Sequence, residues 1–303
     1  MSTAMSAPSK PEQIVLGVTL MTGAAFLFTV MDFMIKELAA RDYHTWQIVF
    51  VRSLFALIPV AVVMVRSGGG WVLLKTKHPL FQLMRGILGL SSMFCFFYAY
   101  KLLPVTTVMS LGFSAALFMT AFSVVFAGEK VGFHRWTAVI VGFGGVLYML
   151  QPGSETFAIE ALWGLGGAIT YALVSIFIRK MAGAESSLTI VIYFTGLTTL
   201  ASAVFLPFVG RMPDSMMDAG LMVGTGLLGG CAQMLMTRAF TTAPVAVVAP
   251  FDYTAMVWAV LIELFLYAAI PAPHILTGSV VVIASGLYIL HREGFRRRQA
   301  SGA

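Results

Sequence analysis

Charged side chains are scarce in this sequence: Asp, Glu, Lys and Arg together supply 11% of its 303 residues, against about 25% in soluble globular domains. A chain that is 59% hydrophobic, with a mean hydropathy of +0.90, has too little polar material to clothe a water-exposed surface. An ordinary soluble protein is excluded. Cysteine is nearly absent. Cys95 and Cys231 lie in different apolar stretches with no ligand partner or CxxC spacing, so both read as packing residues. All five histidines, His44, His78, His134, His274 and His291, fall in loops or at the ends of apolar stretches, which argues against an intramembrane haem or metal site. Gly-rich phosphate loops, nucleophile elbows and metal-ligand clusters are missing as well. Neither cofactor nor metal is expected, and the scattered ionisable residues do not make the cluster an intramembrane enzyme needs.

What is present is hydrocarbon in long runs. In windows of about 19 residues, stretches able to cross a bilayer recur ten times, near 14–35, 46–65, 80–101, 105–127, 133–150, 158–179, 188–209, 217–239, 245–267 and 273–291. They show no period-2 alternation, which excludes a lipid-facing barrel and leaves helices as the way to satisfy backbone groups in lipid. The first run is too long for a secretory signal and lacks a small-residue cleavage site, so it is expected to remain as a helix. The fold class expected is an all-α polytopic membrane protein.

Lys and Arg partition unevenly. With the N-terminus in the cytoplasm, the inner side holds 14 of the 19, Arg85 and the cluster Arg296–Arg298 among them; the outer side holds only Lys36, Arg41, Lys101 and Arg211, and Arg52 lies within a segment. This positive-inside bias puts both termini in the cytoplasm and the chain in a bacterial inner membrane. The net charge of +6 is then topological rather than a nucleic-acid footprint.

A constant offset of 140 pairs Gly86 with Gly226, Gly89 with Gly229, Ala99 with Ala239, Pro104 with Pro244, His134 with His274 and Tyr148 with Tyr288. So many matches without a gap indicate one unit used twice. The expected organisation is a tail over 1–13, five helices over 14–150, an acidic linker over 151–157 with Glu155, five helices over 158–291, and a basic tail over 292–303. An odd number of helices per unit turns the second upside down, the inverted repeat common among secondary transporters, with the site near the midplane. A passive scaffold or sensor would not require that symmetry.

The candidate residues are the polar ones that lipid would not tolerate. Asp32 stands four residues before Lys36, either an interfacial ion pair or a carboxylate facing the interior. Arg52 either snorkels outward or pairs with a carboxylate such as Asp32. Aromatics at the end of the third helix are belt residues or ligands, with Tyr98 deeper than Tyr100. Trp163 and Tyr171 lie in the sixth helix and Gln233 in the glycine-dense eighth. In the ninth, Pro250 removes a backbone donor and Asp252 follows; the first unit has Ser110 and Gly112 there, in what reads as smooth helix. Eleven residues on comes Glu263, on almost the same face and about 16 Å along the axis, with Ala255, Met256 and Ala259 between. Asp252 and Glu263 either hold neighbouring helices or line a pathway.

Arg85, the Ala99-Tyr100 and Pro104 stretch, Gly128-Glu129, and Pro250-Phe251-Asp252-Tyr253 with Trp258 make the chain resemble the drug/metabolite transporter superfamily, in its ten-helix EamA-type branch. It looks most like the YddG-type exporters of aromatic amino acids. Three departures stand out: Ala116 in place of a proline, Ala268-Ala269 in place of Gly-Glu, and Glu263 in place of a small residue. The resemblance implies export of a small metabolite by alternating access. An aromatic or bulky apolar amino acid would be held by Tyr98, Trp163, Tyr171, Gln233, Asp252, Tyr253 and Trp258, with Asp32, Arg52, Pro250 and Glu263 as coupling or gating candidates and protons as a possible coupling ion. Uptake of a nucleoside-like or adenosyl cation is the alternative.

Overall fold

The computed structural model describes residues 10–68, 70–127, 133–151, 159–181, 183–243 and 248–301. The Gly128–Gly132 turn, most of the 151–157 linker including Glu155, Pro244 and residues 1–9 of the expected tail lie outside them. Every long element is a helix: α1 (Lys10–Ala40), α2 (Thr45–Arg66), α3 (Pro79–Leu102), α4 (Val105–Gly112), α5 (Ala115–Ala127), α6 (Phe133–Leu150), α7 (Ala161–Met181), α8 (Ser187–Ala203), the short α9 (Leu206–Val209), α10 (Met216–Thr242), α11 (Thr254–Tyr267) and α12 (Pro273–Ser301). Five of these are long and apolar enough to cross a membrane, and Trp136–Leu150, Ser187–Ala203 and Pro273–Tyr288 are shorter apolar helical stretches. The protein is an all-α polytopic membrane protein. α12 continues to Ser301, so the basic segment expected as a tail extends the last helix.

Ends are set by local chemistry. Ser186 and Ser215 each cap the helix that follows, their side chains accepting from Thr189 N–H and Asp218 N–H. His44 accepts from Trp46 N–H at the start of α2. Such caps occupy backbone donors that have no partner within the helix.

The smooth helix expected at Ser110–Gly112 is not what forms. α4 stops at Gly112, Phe113 and Ser114 make a turn in which Ser114 N–H donates to Leu111 O at 3.0 Å, and α5 restarts at Ala115. In the second unit a 3-10 turn spans Ala249–Tyr253 before α11 begins at Thr254. Shifted by 140, Phe113 falls on Tyr253 and Ala115 on Ala255, so both units break the same helix at the same place. Pro250 made only the second break visible.

The two units interlock. α3 packs against α7 and α8, while α10 packs against α1 and α2. The repeated glycines sit at these crossings: a methyl at Gly86 would stand 2.7 Å from Leu197 Cδ1, and one at Gly226 would stand 2.2 Å from Phe55 Cβ and 2.9 Å from its Cα. Close approach of helix backbones through small residues replaces the hydrophobic drive that lipid cannot supply.

Each end of the bundle is tied across the units. At one end, Arg41 and Tyr43 donate to the Asp218 carboxylate, the latter at 2.9 Å. There Gln47 also exchanges two hydrogen bonds with the Arg211 backbone, at 2.6 and 3.1 Å. At the other, Glu185 Oε1 accepts from Thr76 Oγ1 and Lys77 N at 2.6 Å each and from His78 N at 3.2 Å. Desolvation pushes the Glu185 carboxyl up, but these donors outweigh it and hold it below the usual value.

Gly226→Val is expected to destabilise by about 1–3 kcal/mol because Phe55 backbone cannot yield, read as a lower unfolding temperature in detergent, whereas Gly220→Ala, with open space around it, should not lower that temperature, since alanine favours the helix over glycine. The Glu185 tie contributes stability above the unfolded-state value, about 4.3, and loses it as pH falls through the lowered folded value. Glu185→Gln should therefore lower thermal stability at pH 7, and the difference from the parent protein should shrink in acid.

Candidate functional site

α3 illustrates how the sequence builds a lining. Arg85, Gly89, Ser92, Phe96 and Tyr100 recur every three or four residues, which at 100° per residue keeps them on one face, and all five line a central cavity of about 200 Å³. α1 adds Asp32, α2 Arg52, α7 Tyr171, α8 Phe194, α10 Gln233 and the 3-10 turn Asp252. Helices from both units therefore enclose one space, near the two helix breaks.

Two carboxylates and two guanidiniums share this otherwise aromatic and methionine-lined cavity. Asp32 is buried and accepts a hydrogen bond from Tyr100 Oη at 2.9 Å. Its bond is to Tyr100 and not to Lys36, whose ammonium instead donates to Leu103 O at 2.8 Å. Arg52 neither snorkels nor forms an ion pair among the described residues. Its Nη2 donates to Gly229 O at 3.2 Å, leaving Nε and Nη1 without partners. Arg85, counted from sequence among the cytoplasmic-side cations, is instead 1% exposed, with its guanidinium 3.8 Å from the Phe194 ring centre and Nε and Nη1 unpartnered. Six residues into a helix facing protein, it has no route to the interface, and the inner-side count falls from 14 to 13.

Asp252 faces the cavity half-buried, and no described residue donates a hydrogen bond to its carboxylate, the Thr254 N–H bonding its backbone carbonyl instead. Gln233 spends its amide N–H on Thr237 Oγ1, 3.3 Å away on its own helix, and Tyr171 Oη reaches Met236 Sδ at 3.4 Å. The repeat-related glycines make room for the cations: methyls at Gly89 and Gly229 would meet Arg85 Nη1 at 2.8 Å and Arg52 Nε at 2.7 Å.

The structure thus brings together Asp32, Arg52, Tyr171, Gln233 and Asp252 from the sequence-derived set. It does not bring in the others. Tyr98 packs edge-on against Trp163 at 4.9 Å and stacks with Phe94 at 6.0 Å, and Trp163 is 40% exposed. Tyr253 lies edge-on to Phe113 with its hydroxyl against Gly286, and Trp258 meets Phe26 at 5.1 Å. Pro250 contributes its backbone to the 3-10 turn, and Glu263 opens into a different cavity. Sequence reasoning did not single out Arg85, Phe96 and Phe194 as cavity residues, and it ranked Tyr100 behind Tyr98. The periodicity of α3 was the available signal: Tyr100 falls about 60° from Arg85, whereas Tyr98 falls on the far side.

A helical bundle in lipid, folded as two interlocked units around a mostly apolar cavity that holds four charged side chains, with broken helices beside it, has the build of a solute transporter. A model of the EamA-like transporter family matches the chain over residues 15–151 and again over 158–291. The chain belongs to that family and is a membrane transporter. It is 28% identical over 264 residues to the S-adenosylmethionine uptake transporter of Rickettsia bellii, covering 86% of this chain and 89% of that one. It is 26% identical over 270 residues to the pseudopaline exporter CntI of Pseudomonas aeruginosa, covering 89% and 94%, and 26% identical over 196 residues to a riboflavin transporter of Vibrio cholerae, covering 65% and 66%. A solved crystal structure superposes with a TM-score of 0.66 at 17% identity, over 93% of this chain and 96% of its own, a likeness of fold.

Tyr100→Phe removes the donor to a buried carboxylate and is expected to cost about 1–3 kcal/mol, measured as thermal unfolding in detergent. Made on an Asp32→Asn background, the same change should cost less, since the two effects are one interaction.

Proposed function

We propose that the protein is a secondary transporter of the cytoplasmic membrane that moves a zwitterionic metabolite, one joining a flat aromatic body to an amino-acid head, by alternating access. The observation that carries this reading is that two carboxylates, Asp32 and Asp252, line one aromatic cavity together with two guanidiniums that still have unpartnered N–H groups, Arg52 and Arg85. Buried charges are costly unless paired. A solute carrying a cation and a carboxylate supplies both partners, Asp252 taking the cation and the arginines the carboxylate, with its ring against Phe96 and Tyr171.

Within that class, an adenosyl cation such as S-adenosylmethionine is the favoured solute. It carries a sulfonium besides its ammonium, which suits two acidic side chains, and the Rickettsia relative is named for its uptake. A second reading keeps the aromatic amino acids, exported in the manner of the YddG-type proteins. It draws on the same head-group chemistry and on the phenylalanine-rich wall. The uneven Lys and Arg distribution supports cytoplasmic termini.

The test is flux into and out of proteoliposomes with labelled S-adenosylmethionine, tryptophan and riboflavin, with and without a proton gradient. Protein-dependent, saturable S-adenosylmethionine flux is expected, abolished in Asp252→Asn with reconstitution unchanged. Flux of tryptophan alone would select the second reading. Flux of riboflavin alone, which has no amino-acid head, would overturn both, and pH-dependent flux unchanged in Asp252→Asn would remove that carboxylate from the cycle.

A further inference from the structure

A second cavity, of about 240 Å³, lies at the end of the bundle carrying the 268–272 connection. Its wall is hydrocarbon from Leu103, Leu111, Leu150 and Ile270, interrupted by Thr107, His274 and Glu263. Glu263 is 7% exposed, and its Oε2 has no hydrogen-bond partner among the described residues. A carboxylate oxygen held without a donor against a hydrocarbon-walled space carries a full desolvation penalty. Something cationic in that space would relieve it.

The protein's own cations do not fill the role. Lys36 is near enough for its charge to act on Glu263, yet its ammonium is bonded to Leu103 O and no ion pair reaches Glu263 among the described residues. Tyr267, one turn further along α11, donates its hydroxyl to Glu37. His274 faces the cavity from the start of α12.

The position of Glu263 matters as much as its unpartnered oxygen. Ala255, Met256, Ala259 and Glu263 are the buried residues of α11, so the stripe that begins at Asp252 in the central cavity ends at Glu263, about 16 Å away. α4 likewise lines both spaces, with Met109 and Gly112 on the central one and Thr107 and Leu111 on this one. One seam, between α4 and α11, joins the two carboxylates.

We propose that the Glu263 cavity is a second solute site, a vestibule that takes the cationic group of an organic ammonium or sulfonium against Glu263 while the apolar part of the solute rests on the leucine wall. Its purpose, loading or releasing solute at one end of the seam, rests on the transport reading. Its chemistry does not. In chains lacking Cys95 and Cys231, Thr107→Cys places a thiol in this cavity. A methanethiosulfonate bearing a trimethylammonium group should modify it about tenfold faster than its sulfonate-bearing counterpart, because a carboxylate in a low-dielectric cavity concentrates cations. Glu263→Gln should abolish the preference and Glu263→Asp should retain it. With Glu263 intact, benzyltrimethylammonium, a permanently charged probe, should slow the modification. Equal rates for the two reagents, a preference that survives in Glu263→Gln, or no protection by benzyltrimethylammonium would each overturn the proposal. The labelling needs no transport: a charge preference without flux of any solute leaves this site standing and removes the transport reading for the solutes tested, while flux without a preference does the reverse.

Discussion

Four ionisable side chains at the centre of a bundle made almost wholly of hydrocarbon are the constraint on which the rest of the structure turns. Asp32, Arg52, Arg85 and Asp252 line one cavity in a medium where an unpaired charge is costly. The protein offers them few partners. Tyr100 serves Asp32, a backbone carbonyl serves Arg52, and a ring face serves Arg85. A cation over an aromatic face gains from the ring quadrupole without consuming its N–H groups, so Arg85 is held in place and still able to donate. Arg52 and Arg85 thus keep N–H groups unspent inside the cavity, and Asp252 keeps a carboxylate to which no described residue donates.

Holding such a cavity open requires helices that approach closely around it. The glycines do this in pairs: Gly86 and Gly226 let α3 and α10 meet Leu197 and Phe55, while Gly89 and Gly229, one turn on, give the space to Arg85 and Arg52. Packing and charge placement thus come from the same short stretch of helix, used once in each unit. The paired breaks at Phe113–Ser114 and at Ala249–Tyr253 follow the same logic. An interrupted helix exposes backbone groups that lipid would not accept, and these breaks lie beside the cavity instead, as the membrane environment demands.

How much of this was legible in the sequence depended on the kind of signal. The fold was legible because bilayer thickness imposes length and hydrophobicity on every segment, and the repeat because 140 is a fixed offset. The polar cavity residues were legible where lipid makes a side chain conspicuous, as with Asp32, Arg52, Gln233 and Asp252. Arg85 was missed because a cation six residues into a helix reads as an interfacial charge when counted by position alone. Tyr98 was preferred to Tyr100 on depth, which ignores the face, and the face decided. The break after Gly112 carries no proline, so nothing in its composition announced it. Ala268, which stands where the resemblance leads one to expect glycine, takes a φ of 50°, the left-handed region that glycine adopts without strain.

The symmetry and its breaking do different jobs. Repeat-related positions build the scaffold, with glycine against glycine and break against break, and they are nearly interchangeable between units. The ionisable groups are not. Arg85 has Thr225 at its repeat position, and Asp252 has Gly112, so the charges are distributed without regard to the twofold. An inverted scaffold whose two halves were chemically identical would present the same lining to a solute after rocking either way. Placing a carboxylate at the break of one unit and none at the break of the other gives the seam between α4 and α11 a direction, from Asp252 in the central cavity to Glu263 at one end.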